Sequence, residues 1–146
     1  MIVVFHLVKR FAGSISGSAP SVRDELWAES FLLDGELVLW RRLGNVDRRH
    51  AIQVARRFAV MGSWSRDEMA AALLHDIGKT FSRLSTLERV GATLLGGRTA
   101  RWRDYHDHER IGLELCRVAG SSSATLAMLS GDESLALSAL HRADRI

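Results

Sequence analysis

The residues with the greatest capacity for chemistry are an adjacent histidine and aspartate, His75 and Asp76, inside the run AALLHDIGK. On a helical wheel Asp76 continues the row Met69, Ala72 and Leu73, the face that a helix here would bury. An ionised carboxylate on such a face costs several kcal/mol unless something compensates it. Neighbouring positions on a helix diverge, but at a helix end two adjacent side chains can straddle a single ion. A divalent cation would compensate Asp76 and accept a neutral imidazole from His75.

Two further ionisable groups share apolar faces and complete a candidate ligand set. His50 lies on the same face as Val54, and Asp144 on the same face as Leu137 and Leu140. Two histidines and two carboxylates make a mixed nitrogen–oxygen site. That set suits one divalent transition metal ion (Mn, Fe, Co, Ni or Zn, with Mg a further option) better than Ca. Each residue also has a plainer reading. His50 fits a satisfied core histidine, Asp144 a solvent-facing carboxylate, Lys79 an ordinary lysine after a helix, and Asp76 a partner for one of many arginines.

The elements that must position these residues read as helices, so the expected fold class is all-α, a single compact domain of about six to eight helices. Ser21 followed by Asp24 caps a first helix that runs through Leu26, Trp27 and Phe31 to a break at Asp34–Gly35. A second spans Glu36 to Leu43. A third, capped by Asp47, carries Ala51, Val54, Ala55 and Phe58 at helical spacing. Ser65 with Glu68 forms a capping-box pattern ahead of a fourth helix, which Gly78 would end. Further helices are expected at 84–95, 105–119, 123–129 and 132–145. No sustained apolar–polar alternation supports strands.

Residues 12–20, AGSISGSAP, read as a linker between an N-terminal apolar segment and a domain over 21–146. In the first segment Val4, Val8 and Phe11 would form one stripe of a helix, packed on the domain or, as the weaker reading, touching a membrane surface. Its apolar run is too short for a spanning helix, so no transmembrane segment is expected. The composition is that of a soluble globular domain, 47% hydrophobic and 25% charged with one proline. The single cysteine, Cys116, reads as a buried small hydrophobe, and no oxidising compartment is indicated; a cytoplasmic location is expected. Net charge is +3, with arginines in short clusters, but no long basic run marks a nucleic-acid binder. The N-terminal apolar segment, with Trp40 and Trp102 read as exposed, would support a homodimer.

The order and surroundings of the four candidate ligands resemble the HD superfamily of metal-dependent phosphohydrolases. The resemblance runs through RRHAIQVARRF, AALLHDIGK, HERIG and ALHRAD, about Asp47 to Asp144. It implies metal-ligand roles for His50, His75, Asp76 and Asp144, with Asp76 and Lys79 serving catalysis. Lys79 would meet a substrate phosphate, and water bound to the ion would attack a phosphate ester or anhydride of a nucleotide-like substrate. His108 matches the histidine of a His-Pro-x-x-Gly turn, facing a substrate or a second ion, although Glu109 stands in place of the proline. Arg49, beside His50, is a second candidate phosphate contact, although an outward-facing surface arginine is the plainer reading. No paired His-His stands between Gly112 and Asp144, which favours one metal over two. The short, Ser-rich stretch from Gly120 to Asp132 keeps an alternative open: a non-catalytic metal- or nucleotide-binding regulatory module on the same fold.

Overall fold

A computed structural model describes residues 17–79 and 108–146, together with the backbone of residues 100–107. The N-terminal apolar stripe, most of the linker, the helix expected at 84–95 and the side chain of Trp102 lie outside the described residues. Seven helices and no strand are found among those described. They are α1 (Val22–Glu29), α2 (Asp34–Arg42), α3 (Asn45–Val60), α4 (Arg66–Leu74), α5 (Ala100–Val118), α6 (Ser123–Leu129) and α7 (Leu135–Arg145). The described residues form an all-α domain, as the sequence pattern predicts.

Helix α4 is the central element. Met69 to Leu74 are all buried, so this helix is apolar all round and must be covered on several sides. Helix α3 covers it from one side with Ala51, Val54, Ala55 and Phe58, and α6 from another; α7 lies on α3. The start of α4 is fixed by Ser65, whose hydroxyl accepts from the Glu68 amide while the Glu68 carboxylate accepts from the Ser65 amide. Such a reciprocal cap stabilises a helix by about 1 kcal/mol.

Two glycine turns reverse the chain and return its last helix to α3. The ends of α5 and α6 are both closed by a glycine with positive φ, Gly120 at 85° and Gly131 at 90°. After α5 the Ser121 amide bonds the Cys116 carbonyl and the Gly120 amide that of Arg117. After α6 Asp132 bonds Ala127 and Gly131 bonds Met128 in the same pattern. These are Schellman closures, in which glycine takes the left-handed position at least cost. The first turn is also tied to α2. Buried Glu36 accepts from Ser121 Oγ at 2.7 Å and from the Leu33 amide at 2.8 Å.

Several expected boundaries move, for physical reasons. Gly35 does not break the chain; it lies in the first turn of α2, where a Cβ would come within 1.9 Å of the Ala119 carbonyl oxygen. Gly44, not Asp47, occupies the cap of α3. Gly78 is not a left-handed helix end. Helix α4 stops at Leu74, helical backbone resumes at residues 77–79, and a Cβ on Gly78 would sit 1.9 Å from the His108 carbonyl oxygen. The segment His108 to Gly112 is not a turn but lies inside α5. Gly112 is there one helical turn from His108, facing Gly78, and the two glycines let α5 cross the end of α4 closely. Trp40 is fully buried, its Nε1–H held by Glu25 at 2.9 Å, and offers no exposed surface for a homodimer.

Candidate metal centre

Three elements distant in sequence bring four residues together. His50 comes from the first half of α3, His75 and Asp76 from the turn that ends α4, and Asp144 from the last turn of α7. His50 Nε2 lies 3.3 Å from Asp144 Oδ1 and 3.8 Å from Asp76 Oδ2. His75 Nε2 lies 3.5 Å from Asp144 Oδ1 and 3.6 Å from Asp76 Oδ2. The two imidazole rings are tilted with centroids 6.2 Å apart. His50, His75 and Asp76 form a cluster able to coordinate a metal ion, their donor atoms all within 4.8 Å of one another.

These spacings have a chemical meaning. Nitrogen and oxygen ligands sit about 2.0–2.2 Å from a Zn-sized ion, so two ligands of one ion at a tetrahedral angle stand roughly 3.4 Å apart. Ordinary hydrogen bonds are shorter, about 2.7–3.2 Å. The contacts at this cluster fall in the wider range.

The environment of His75 sharpens the point. Its Nδ1 lies 2.7 Å from the Ala72 carbonyl oxygen, and a carbonyl can only accept, so Nδ1 carries the proton. In the neutral ring Nε2 then presents a lone pair. That atom is buried, makes no hydrogen bond, and faces two carboxylate oxygens. A lone pair against anionic oxygens is unfavourable unless a proton or a cation lies between them. Without a metal the proton takes that role. Burial opposes a charged imidazole, but Asp144, Asp76 and the Ala72 carbonyl outweigh it, and His75 titrates above its ordinary range. Asp144 is held well below the usual carboxylate range by His75 and, beyond it, His50, against a smaller opposing effect of burial.

Asp76 divides its two oxygens. Oδ2 faces the imidazoles, whereas Oδ1 accepts from Lys79 Nζ at 2.9 Å. The residue is not on the buried face of α4. The helix ends before it, and its side chain is half-buried in the turn that follows. Its cationic neighbour is a lysine rather than an arginine.

A cavity of about 360 Å³ opens beside the cluster. His75, Asp76, Gly78 and Lys79 form one wall, His108, Glu109, Gly112 and Leu113 of α5 another, and Met128, Leu129 and Gly131 a third. Leu137, Leu140, His141 and Asp144 of α7 complete it. The apolar wall from α6 has no signal in the sequence beyond helical spacing, and Glu109 is a lining residue that the motif reading treats only as a departure. His141 lines the cavity although exposed. Arg49 is not brought to it. Its guanidinium donates to Ser18 Oγ at 2.9 Å, since the next position along α3 from His50 points some 100° away.

Several arginines of the short clusters are paired within the chain. Arg48 pairs with Glu25 at 2.8 Å, and Arg41 with Glu29 at 3.6 Å. Arg66 pairs with Asp67, and Arg56 bonds Asp24 at 2.6 Å while stacking over Trp27. Cys116 is fully buried and its thiol is pushed up to about 11 by that burial, which removes it as a nucleophile. No described helix is long and apolar enough to cross a membrane. Comparison with protein-family models, with characterised proteins and with solved structures finds no match for this chain.

Proposed function

We propose that the chain is a metal-dependent phosphohydrolase of the HD type, acting on a phosphate ester or anhydride of a nucleotide-like substrate. The observation that supports this reading most is the buried Nε2 of His75, directed at two carboxylate oxygens from separate elements with no hydrogen bond of its own. His50, His75, Asp76 and Asp144 would hold one divalent ion, and the same four positions carry the resemblance to the HD superfamily. When bound, such an ion acidifies water and polarises a phosphoryl group.

The chain's own residues then have separable tasks. Asp76 directs Oδ2 to the cluster and uses Oδ1 to hold the Lys79 ammonium at the cavity wall. Lys79 is half-exposed there, so its charge can meet a phosphoryl oxygen and stabilise negative charge as it spreads. The Ala72 carbonyl holds the His75 ring in one tautomer, as outer partners of ligating histidines do. His108 stands on the opposite wall as a substrate contact. The leucines and Met128 of the cavity exclude water from the body of a substrate.

The test is turnover of nucleotides and an activated phosphodiester with Mn, Co or Mg, beside Asp76→Ala and Lys79→Ala. Metal-dependent hydrolysis lost in Asp76→Ala supports the proposal. A second reading, a regulatory module that binds metal or nucleotide without turnover, is favoured by Glu109. This residue stands beside His108 on the cavity wall in place of the proline of the HD-type turn, so the substrate wall departs there from the catalytic pattern. Binding of nucleotide by calorimetry without product in any metal would select that reading.

A further inference from the structure

We infer that Arg57 is a positioning residue for Asp144, tying the backbone of α7 to α3 so that the carboxylate stays against the two imidazoles. The inference rests on the metal-site reading above for its functional meaning, and on geometry for its content. Arg57 lies two helical turns beyond His50 on α3, on the same face. Its Nη1 donates at 3.2 Å to the carbonyl oxygen of Ala143, the residue that immediately precedes Asp144. The neighbouring arginines Arg48 and Arg56 are paired with carboxylates, whereas the hydrogen bond of Arg57 goes to the main chain.

A main-chain anchor does something that the carboxylate cannot do for itself. The Asp144 side chain is 41% exposed and meets the imidazoles only through contacts of 3.3 and 3.5 Å. Each residue of a helix turns it by about 100° and advances it about 1.5 Å, so a small slip of α7 would carry Asp144 away from its partners. Buried Ala143 packs the inner side of this turn, and the Arg57 bond fixes it along and about the helix axis. One helix, α3, thereby carries both a candidate ligand and the clamp that places another.

The experiment compares Arg57→Met, Arg57→Lys and Arg56→Met in the full chain, by amide hydrogen exchange of the metal-free protein and by calorimetric titration with Mn2+. In Arg57→Met, exchange of residues 142–145 should rise several-fold while that of α4 is unchanged, and Mn2+ affinity should fall about 10-fold or more. Arg57→Lys, which restores a donor, should recover most of both. Arg56→Met, whose guanidinium faces Asp24 and Trp27, should change neither. Parental exchange in Arg57→Met, or equal losses in Arg56→Met, would overturn the inference. Should Arg57→Met not fold, Arg57→Gln is read in the same way. If the parent chain takes up no Mn2+, the metal reading fails by itself, and the exchange data still decide whether Arg57 holds the Asp144 turn.

Discussion

His75 turns its Nδ1–H onto the carbonyl of Ala72, 2.7 Å away in the same turn of chain, and so commits its other nitrogen to the space between Asp76 and Asp144. A backbone carbonyl three residues back is an anchor that does not titrate. It fixes the orientation of the ring before any ligand arrives, which is how a preorganised donor is made. Asp76 follows it in the same turn, and His50 and Asp144 converge on the same space from helices far apart in the chain.

Metal should stabilise the fold, and His75 should be required for it. A ligand at 100 times its dissociation constant stabilises by about 2.7 kcal/mol. For a chain of this size each kcal/mol moves the melting temperature roughly 2–4 °C. Addition of Mn2+ or Zn2+ at that excess to protein stripped with a chelator should raise Tm by about 5–10 °C. In His75→Ala the rise should vanish, which differential scanning fluorimetry reads directly.

The pH dependence should reverse when metal is added. His75 holds its proton more tightly folded than unfolded, so its contribution is complete below its ordinary value of 6.5 and is lost as pH rises through the raised folded value. Asp144 behaves oppositely. Its contribution is present above its ordinary value of 3.8 and is lost as pH falls through the lowered folded value. For these two groups the metal-free chain is therefore most stable between pH 3.8 and 6.5 and weakens above. A metal requires the deprotonated imidazole, so the metal-induced rise in Tm should grow over the same interval in which the metal-free Tm declines. Melting curves at pH 5.5 to 8, with and without Mn2+, test both slopes.

Gly78→Ala should be strongly destabilising. The added methyl would lie 1.9 Å from the His108 carbonyl oxygen and 3.0 Å from the Gly112 amide, both main-chain atoms that can yield only if α5 moves. A loss at or above the upper end of about 1–3 kcal/mol is expected. Gly17→Ala, with nothing within 4 Å, should change stability little. Urea unfolding of the two variants provides the comparison, and equal midpoints would show that α5 does not cross the end of α4 as described.

Glu36→Gln should cost stability without touching the metal cluster. Both carboxylate oxygens of Glu36 accept hydrogen bonds in a fully buried place, from Ser121 and from the Leu33 amide. An amide supplies one acceptor and sets a donor against a donor, for an expected loss of about 1–3 kcal/mol. Unchanged metal affinity with a lower urea midpoint is the outcome that fits.

Helical periodicity made the architecture legible, and capping chemistry located the starts of α1 and α4 because Ser21 and Ser65 act through their own local amides. The glycines were legible as special positions but not in kind. Gly35 and Gly78 look like breaks in a one-dimensional pattern, and only the main chains of Ala119 and His108 reveal them as close crossings. Asp76 was singled out by extending the α4 wheel past the point where the helix ends; it lies in the cluster for a different reason, the turn at Leu74. Trp40 reads as exposed from its sequence, whereas it is fully buried with its Nε1–H satisfied by Glu25, a partner supplied by another helix. Arg49 had two readings, a phosphate contact and an outward-facing surface arginine, and its bond to Ser18 fits the second.

The most direct examination of the cluster is an equilibrium titration of chelator-stripped protein with Co2+, followed by its visible absorption, in the parent chain and in Asp144→Ala. Saturation at one ion per chain, with a spectrum of mixed nitrogen–oxygen ligation that is lost or altered in Asp144→Ala, is expected. A folded parent chain that takes up no Co2+, or an identical spectrum and affinity in the variant, would contradict a metal centre shared by α3, the α4 turn and α7.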